Sequence, residues 1–542
     1  METLICVLPM IHLKLMANTM ETMILITQRI LKALLFLLSC VIIPFTLLQC
    51  FNERKRLPPI KSNVLFLSAT ELAKRIRSRK ISSEEVVRAY IQRCKDVNPI
   101  LNAIVESRFD AATLEAKEVD QFLSRTTKTE EELARDMPLL GVPVTVKESI
   151  AVQGMSYGVG VKKKTKEEAS EDAHIVKKVR DAGAIILLVS NTPELCLFWE
   201  TDNKVTGTTC NPYDTRRNSG GSSGGEAALL SSAASLVGLV SDVAGSSRLP
   251  AMFCGIFGHK PSAGLVSTHG HKPGSTDKNW PYYFTLGTMA RYADDLPLMM
   301  KIISQSDHVR QRLDQKVSLK DVKFFYLYNC CPITNSINGE MKDAMRRVIK
   351  HIEAMFGVQV QKAELSDMKF AFDVSSHLLL DLNVDSVGDM FSGKIFVEFL
   401  KLIFHVSLRS LSFVCYGMVR WVNTKRSTAY HNKVVEKKTS LKKQFEDLLG
   451  DNGVLIYPTF IAPAHYKYQA YSKVANFTYL MIYNVLGLPV TQCPVGLNSN
   501  GLPIGVQIVA NTDNDHLTIA VAQSIEKAFG GWRLPPTSEI SV

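Results

Sequence analysis

The 542-residue chain lacks the sequence marks of several large function classes. Its 11 cysteines form no CxxC pair, and no Cys/His group has zinc-ligand spacing, so they read as reduced or space-filling thiols. His269-Gly270-His271 has no third ligand near it in the sequence and reads as a turn. No G-x-x-x-x-G-K-[ST] loop occurs, and no G-x-G-x-x-G follows a strand pattern, which removes the usual nucleotide-binding readings. Repeats of 20–50 residues and low-complexity tracts are absent, and 31 Gly and 22 Pro are ordinary numbers for a globular chain. Charge of either sign is thinly spread: the net value is +11, with only short basic clusters such as Arg54-Lys55-Arg56. No nucleic-acid motif accompanies that excess. Long hydrophobic runs are missing as well, with one exception, so a polytopic membrane protein is excluded.

The exception is Ala33 to Phe51, nineteen uncharged residues flanked by Arg29 and Lys32 before and Arg54-Lys55-Arg56 after. At 1.5 Å per residue the run covers about 28 Å, near the thickness of a bilayer core. It reads as a single-pass transmembrane anchor, with 1–32 before it and a proline-containing linker, 52–63, behind it. A cleaved signal peptide fits less well, because the run is long and no A-x-A site follows. Basic residues on both flanks leave the orientation open.

With hydrophobic residues at 46%, the remainder has ample material for a core. Ser68 and Ser82 read as N-caps of helices, the second running to Cys94, and Ala173–Ala182 reads as a helix ended by Gly183. Strand patterns occupy 142–146, 184–189, 237–240, 454–457 and 490–495. This alternation predicts an α/β fold around a substantial sheet. In 394–421, Glu398, Lys401, His405 and Arg409 fall at helical spacing among large apolar residues. That pattern suits an amphipathic cap lying in a membrane interface, or a helix packed in the core.

The most unusual stretch is 211–261. It opens on Gly220-Gly221-Ser222-Ser223-Gly224-Gly225, continues through a small-residue helix over about 227–236 and a short strand, and reaches Ala244-Gly245-Ser246-Ser247-Arg248. Small residues let backbone N–H groups converge, as an oxyanion hole requires. The letters G-x-S-x-G are present, but the hydrolase elbow of that form follows a strand, and Asn211–Asn218 has no strand character. Val142, Val144 and Val146 share one face of a strand, so Lys147 points to the other at its end. In a partly dry site such a lysine loses its proton easily and can act as a base.

The block from Gly220 to Pro261 resembles the defining motif of the amidase signature family of serine hydrolases. So do Leu140-Gly-Val-Pro-Val-Thr-Val-Lys147 upstream and Leu486-Gly-Leu-Pro-Val downstream. Within the family, the anchor, Gly255-Ile-Phe-Gly-His-Lys-Pro and Phe529-Gly-Gly-Trp532 are similar to the fatty-acid amide hydrolase 2-like branch. The resemblance implies an amidase domain over 64–536, a large twisted mixed β-sheet covered by helices on both faces. It implies Lys147 as catalytic base, Ser222 as bridging serine on a cis peptide bond, and Ser246 as nucleophile. The amides of Val243, Ala244, Gly245 and Ser246 match the oxyanion hole, while Ser223, Asp242 and Arg248 match supporting positions. No cofactor is implied. A lipid-like amide and a membrane are the implied partners, with a homodimer left open and an intracellular membrane such as the endoplasmic reticulum as the location.

Three functions follow as alternatives: a membrane-bound amidase of long-chain fatty amides, a hydrolase of small polar amides or esters, and a non-catalytic lipid-binding member. The last is motivated by Ala244, where the family usually has glycine; a left-handed φ there would cost alanine about 1 kcal/mol. Asn476-Phe-Thr478 is a glycosylation sequon before an apolar run and is expected to be buried.

Overall fold

The computed structural model describes residues 2–385 and 395–541, with side chains from residue 19 onward. Lys394, the first residue of the expected cap, lies outside the described residues.

Eleven strands form one sheet. They are Ile104–Ser107 (β1), Pro143–Lys147 (β2), Ile185–Ser190 (β3), Val237–Asp242 (β4), Phe257–Lys260 (β5), Thr285–Ala290 (β6), Lys323–Tyr326 (β7), Gln361–Lys362 (β8), Gly453–Pro458 (β9), Val490–Leu497 (β10) and Pro503–Ala510 (β11). Their spatial order is β1-β3-β2-β4-β6-β5-β10-β11-β9-β7-β8. Pairing is parallel at β2 with β3 and with β4, and antiparallel at β4 with β6 and β10 with β11, so the sheet is mixed. The expected α/β architecture is present. β2 to β4 and β9 to β11 are almost wholly buried, which is why they read as continuous apolar runs.

The helices used below are Glu2–Leu47 (α1), Ala69–Arg77 (α2), Ser83–Leu101 (α3), His174–Asp181 (α4), Gly224–Ser231 (α5), Arg248–Phe253 (α6), Ala371–Asp381 (α7), Ile395–Ile403 (α8), Leu411–Asn423 (α9), Thr428–Leu449 (α10) and Thr478–Val485 (α11). The two expected caps are formed: Ser68 Oγ accepts from Glu71 N at 3.1 Å and Ser82 Oγ from Glu85 N at 3.0 Å. α3 runs past Cys94 to Leu101, where Asn102 turns left-handed at φ 51°.

Three local expectations are corrected. The helix expected over 227–236 is Gly224–Ser231, because Ala233 adopts φ 65° and breaks it, while Gly224 and Gly225 form its first turn. Those glycines are needed there, since a Cβ on Gly224 would lie 2.4 Å from Thr201 Oγ1 and one on Gly225 2.5 Å from Asn191 N. The stripe Glu398, Lys401, His405, Arg409 does not lie on one helix: α8 ends at Ile403, His405 turns left-handed at φ 57°, and Ser410 caps α9. Arg409 instead reaches Glu194 at 2.9 Å. The segment expected as a linker, 52–63, is pinned to the C-terminal tail by Leu57 N to Thr537 O and Ile60 N to Glu539 O, both 2.8 Å.

His269 stacks on His174 while His271 is buried against Phe284, so the two histidines of the turn part company. Asn476 is buried as expected and accepts from Asn335 N at 2.7 Å.

Gly183 closes α4 at φ +88°, and a Cβ there would lie 2.8 Å from Leu140 Cα. Gly183→Ala should therefore lower unfolding free energy by about 1–3 kcal/mol. A urea midpoint equal to the parent's would contradict this.

Candidate active site

The parallel register sets Thr145 beside Gly238 and Val146 beside Leu239, so the end of β2 lies beside the middle of β4, whose last residues, Ser241 and Asp242, run on past Lys147. Lys147 ends β2 and is completely buried. Its Nζ donates to Ser222 Oγ at 2.6 Å and to Ser241 Oγ at 2.9 Å. No carboxylate lies within salt-bridge range of it among the described residues. Burial pushes the Lys147 amine below lysine's ordinary value; the Cys196 thiol, Asp242 and Glu226 oppose this without reversing it. Two residues back on the same face, Thr145 donates to Glu226 Oε2 at 2.6 Å. Burial raises the Glu226 carboxyl to about 7.

Ser222 follows a cis Gly221–Ser222 peptide bond, as the family resemblance implied. The backbone fits closely there, since a Cβ on Gly221 would fall 2.7 Å from Phe198 O. Ser223 N donates to Ser246 O at 3.3 Å, which ties the first turn to the second.

The second turn is built around a carboxylate. Asp242 Oδ1 accepts from Gly245 N at 2.7 Å, and Oδ2 accepts from Ser247 N at 3.0 Å and Ser247 Oγ at 2.6 Å. Arg248, also fully buried, donates to both carboxylate oxygens at 3.0–3.1 Å and to Asn484 Oδ1 at 2.6 Å. Burial alone would raise the Asp242 carboxyl, but the Arg248 charge and the hydrogen bonds outweigh it and hold the group well below the usual carboxylate range. Gly245 carries the left-handed conformation, at φ 99°, and its missing Cβ leaves room for Leu480.

This geometry alters two expectations. Gly245 N–H is already committed to Asp242, so it drops out of the expected oxyanion set. Among the described residues, no acceptor takes the N–H of Val243, Ala244 or Ser246. Ala244 lies outside the positive-φ region, so the strain expected of alanine does not arise. Its carbonyl accepts from Trp199 Nε1 at 2.9 Å.

Ser222, Ser241, Val243, Ala244 and Ser246 line one cavity of about 250 Å³. Its remaining wall is almost wholly apolar, with Trp199, Phe284, Phe372 and Leu379 among the residues that face it. Ser241 does not stand out in the sequence, because the strand reads as ending at Val240, two residues before its observed end at Asp242. Two-residue alternation carried past Val240 was the available signal.

Asp242→Asn would leave the buried Arg248 charge uncompensated, and a loss of about 3–5 kcal/mol is expected. A depressed carboxyl stabilises the fold above its unfolded pKa of about 3.9, and the contribution fades as pH falls below that. The stability difference between parent and variant should therefore narrow in chemical denaturation below about pH 4. A gap that widens there would contradict the assignment.

Comparison with known proteins gives the family. The family model described as Amidase matches residues 85–519. The chain is 39% identical over 520 residues to fatty-acid amide hydrolase 2-B of Danio rerio, covering 93% of this chain and 98% of that one. It is 40% identical over 497 residues to fatty-acid amide hydrolase 2 of Homo sapiens, covering 88% and 92%. A solved fatty acid amide hydrolase superposes with a TM-score of 0.69 at 21% identity, covering 86% of both chains. The chain belongs to the amidase signature family and is a hydrolase of amide carbon–nitrogen bonds.

Proposed function

We propose that the protein hydrolyses long-chain fatty-acid amides at a membrane through an acyl-enzyme on Ser246, with Ser222 and Lys147 as the proton relay. The observation that carries this reading is the 2.6 Å hydrogen bond between a fully buried Lys147 and Ser222, at the edge of a cavity that also presents Ser246. A neutral Lys147 amine takes the Ser222 proton while Ser222 takes that of Ser246. Ser246 Oγ bonds to the carbonyl carbon, and the amides of Val243, Ala244 and Ser246 are the donors available to the developing oxyanion. The C–N bond then breaks as the relay returns the proton to nitrogen. Water attacks the acyl-enzyme by the same route and releases the fatty acid. Asp242 and Arg248 fix the turn and take no part in the proton transfer.

The apolar lining supports a lipid-like acyl chain over a small polar amide. Each methylene buried is worth about 0.8 kcal/mol, so selectivity should rise steeply with chain length. The exposed apolar side chains of α1, α8 and α9 support a membrane as the place where such a substrate is met. The cap expected over 394–421 becomes, on this reading, a helical hairpin formed by α8 and α9.

Ser246→Ala should lower kcat for oleamide by at least about 10⁴-fold, as removal of a nucleophile does elsewhere. Turnover at the parent's rate would remove the nucleophile assignment. A base must be unprotonated, so kcat/KM should rise with pH and level off below lysine's ordinary value of about 10.4. Lys147→Ala should lose that limb along with most activity; an unchanged profile would exclude Lys147 as the base. Preference for a C4 amide over a C18 amide would favour the small-substrate reading.

A further inference from the structure

Helix α1 is long and apolar enough to cross a bilayer, with a mean hydropathy of 2.4 in the most apolar 18-residue window within Thr19–Phe51. Its contacts carry a different message. The residues of α1 and its C-terminal extension that are buried or half-buried are 20, 21, 24, 25, 28, 31, 32, 35, 39, 42, 43, 46, 49 and 50. They recur at the 3.6-residue period, so one face of the helix is covered from residue 20 onward.

Glu21, Gln28, Lys32, Ser39, Thr46 and Gln49 lie on that covered face, while Thr22, Thr27 and Arg29, all N-terminal to Ile30, are exposed. Glu21 pairs with Lys433 at 3.0 Å and Lys437 at 2.8 Å on α10. Gln28 donates to Asp373 Oδ2 at 2.6 Å and Lys369 O at 3.0 Å, beside α7. Lys32 donates to Thr334 O at 2.8 Å and Pro332 O at 2.9 Å. Farther along, Thr46 accepts from Gln469 at 2.9 Å, and Gln49 donates to Lys467 O at 3.3 Å. From Glu21 to Gln49 the docked path is about 42 Å of helix. On the opposite face, every exposed side chain from Ile30 to Leu48 is apolar, including Leu34, Phe36, Leu37, Val41 and Phe45.

We propose that α1 lies in the plane of the membrane, docked on the catalytic domain by its polar stripe and sunk into one leaflet by its apolar face. A helix crossing the bilayer at a steep angle would carry its docking partners, Asp373 and Lys433 among them, into the hydrocarbon. An in-plane helix keeps them at the headgroup level and uses both faces. Continuity with a second apolar surface favours a leaflet over a second copy of the chain. α9 packs on α7, where His377 Nδ1 and Asn423 Oδ1 lie 2.8 Å apart, and the α8–α9 hairpin exposes Phe396, Leu400 and Phe404. α7 therefore carries α1 and the hairpin, and its Phe372, Ser376 and Leu379 line the cavity.

The inference rests on the membrane part of the proposed function, and one experiment separates the two. The full chain, tagged at both termini, is translated into microsomes and treated with protease with and without detergent. An in-plane helix leaves both tags on the same side of the membrane; tags on opposite sides would overturn the inference and leave the membrane reading intact. Full release by alkaline carbonate would overturn both. In the same preparation, a Gln28→Cys, Asp373→Cys pair should form a disulfide that neither single variant forms. Failure to cross-link, or a lipid-free dimer that shields α1, would overturn the docking.

Discussion

Everything in this site depends on an amine held out of water without a carboxylate to pay for it. Lys147 is surrounded by protein, and its closest partners are the hydroxyls of Ser222 and Ser241. Hydroxyls accept from an ammonium, yet they compensate poorly for lost hydration, so the neutral form gains ground. A paired carboxylate at the same place would reverse this and leave a permanent cation. The parallel pairing of β2 with β3 and β4 sets that balance by placing the lysine deep in an eleven-stranded sheet.

The opposite solution is used a few residues away. Asp242 and Arg248 are equally buried but satisfy each other; the carboxylate also accepts from Gly245 and Ser247 of the turn, and Arg248 also donates to Asn484 of α11. One ionic pair stays charged and rigid so that a neighbouring group can change charge. The turn needs one left-handed residue, Gly245, and tolerates Ala244 because the chain is not left-handed there.

Much of this was legible from residue order. The periods of the strands, the serine caps and the two small-residue turns predicted the sheet, two helix starts and the residues that meet around the cavity. What was lost was local. The end of α5 is set by Ala233 at positive φ, which composition does not announce, and the Glu398–Arg409 periodicity is broken by His405 at positive φ. Ser241 is hidden by an expected strand boundary two residues short of the observed one. Gly245's N–H was assigned to the oxyanion set because its use by Asp242 is a matter of three-dimensional geometry. The polar stripe of α1 was hidden in the reading of 33–51 as a uniformly apolar run, although Glu21, Gln28 and Lys32 stand just before it and Thr46 and Gln49 within it.

The apolar cavity, the hairpin and α1 meet around α7, so the cavity and the exposed apolar surface share one structural support. The central claim is that burial of Lys147 activates Ser246 through Ser222. It is tested most directly by labelling the full chain with an active-site fluorophosphonate and locating the modified residue by mass spectrometry. The account predicts a single adduct on Ser246 that is lost when Lys147 is replaced by alanine. An adduct on another serine, or labelling of Ser246 that is indifferent to Lys147, would contradict it.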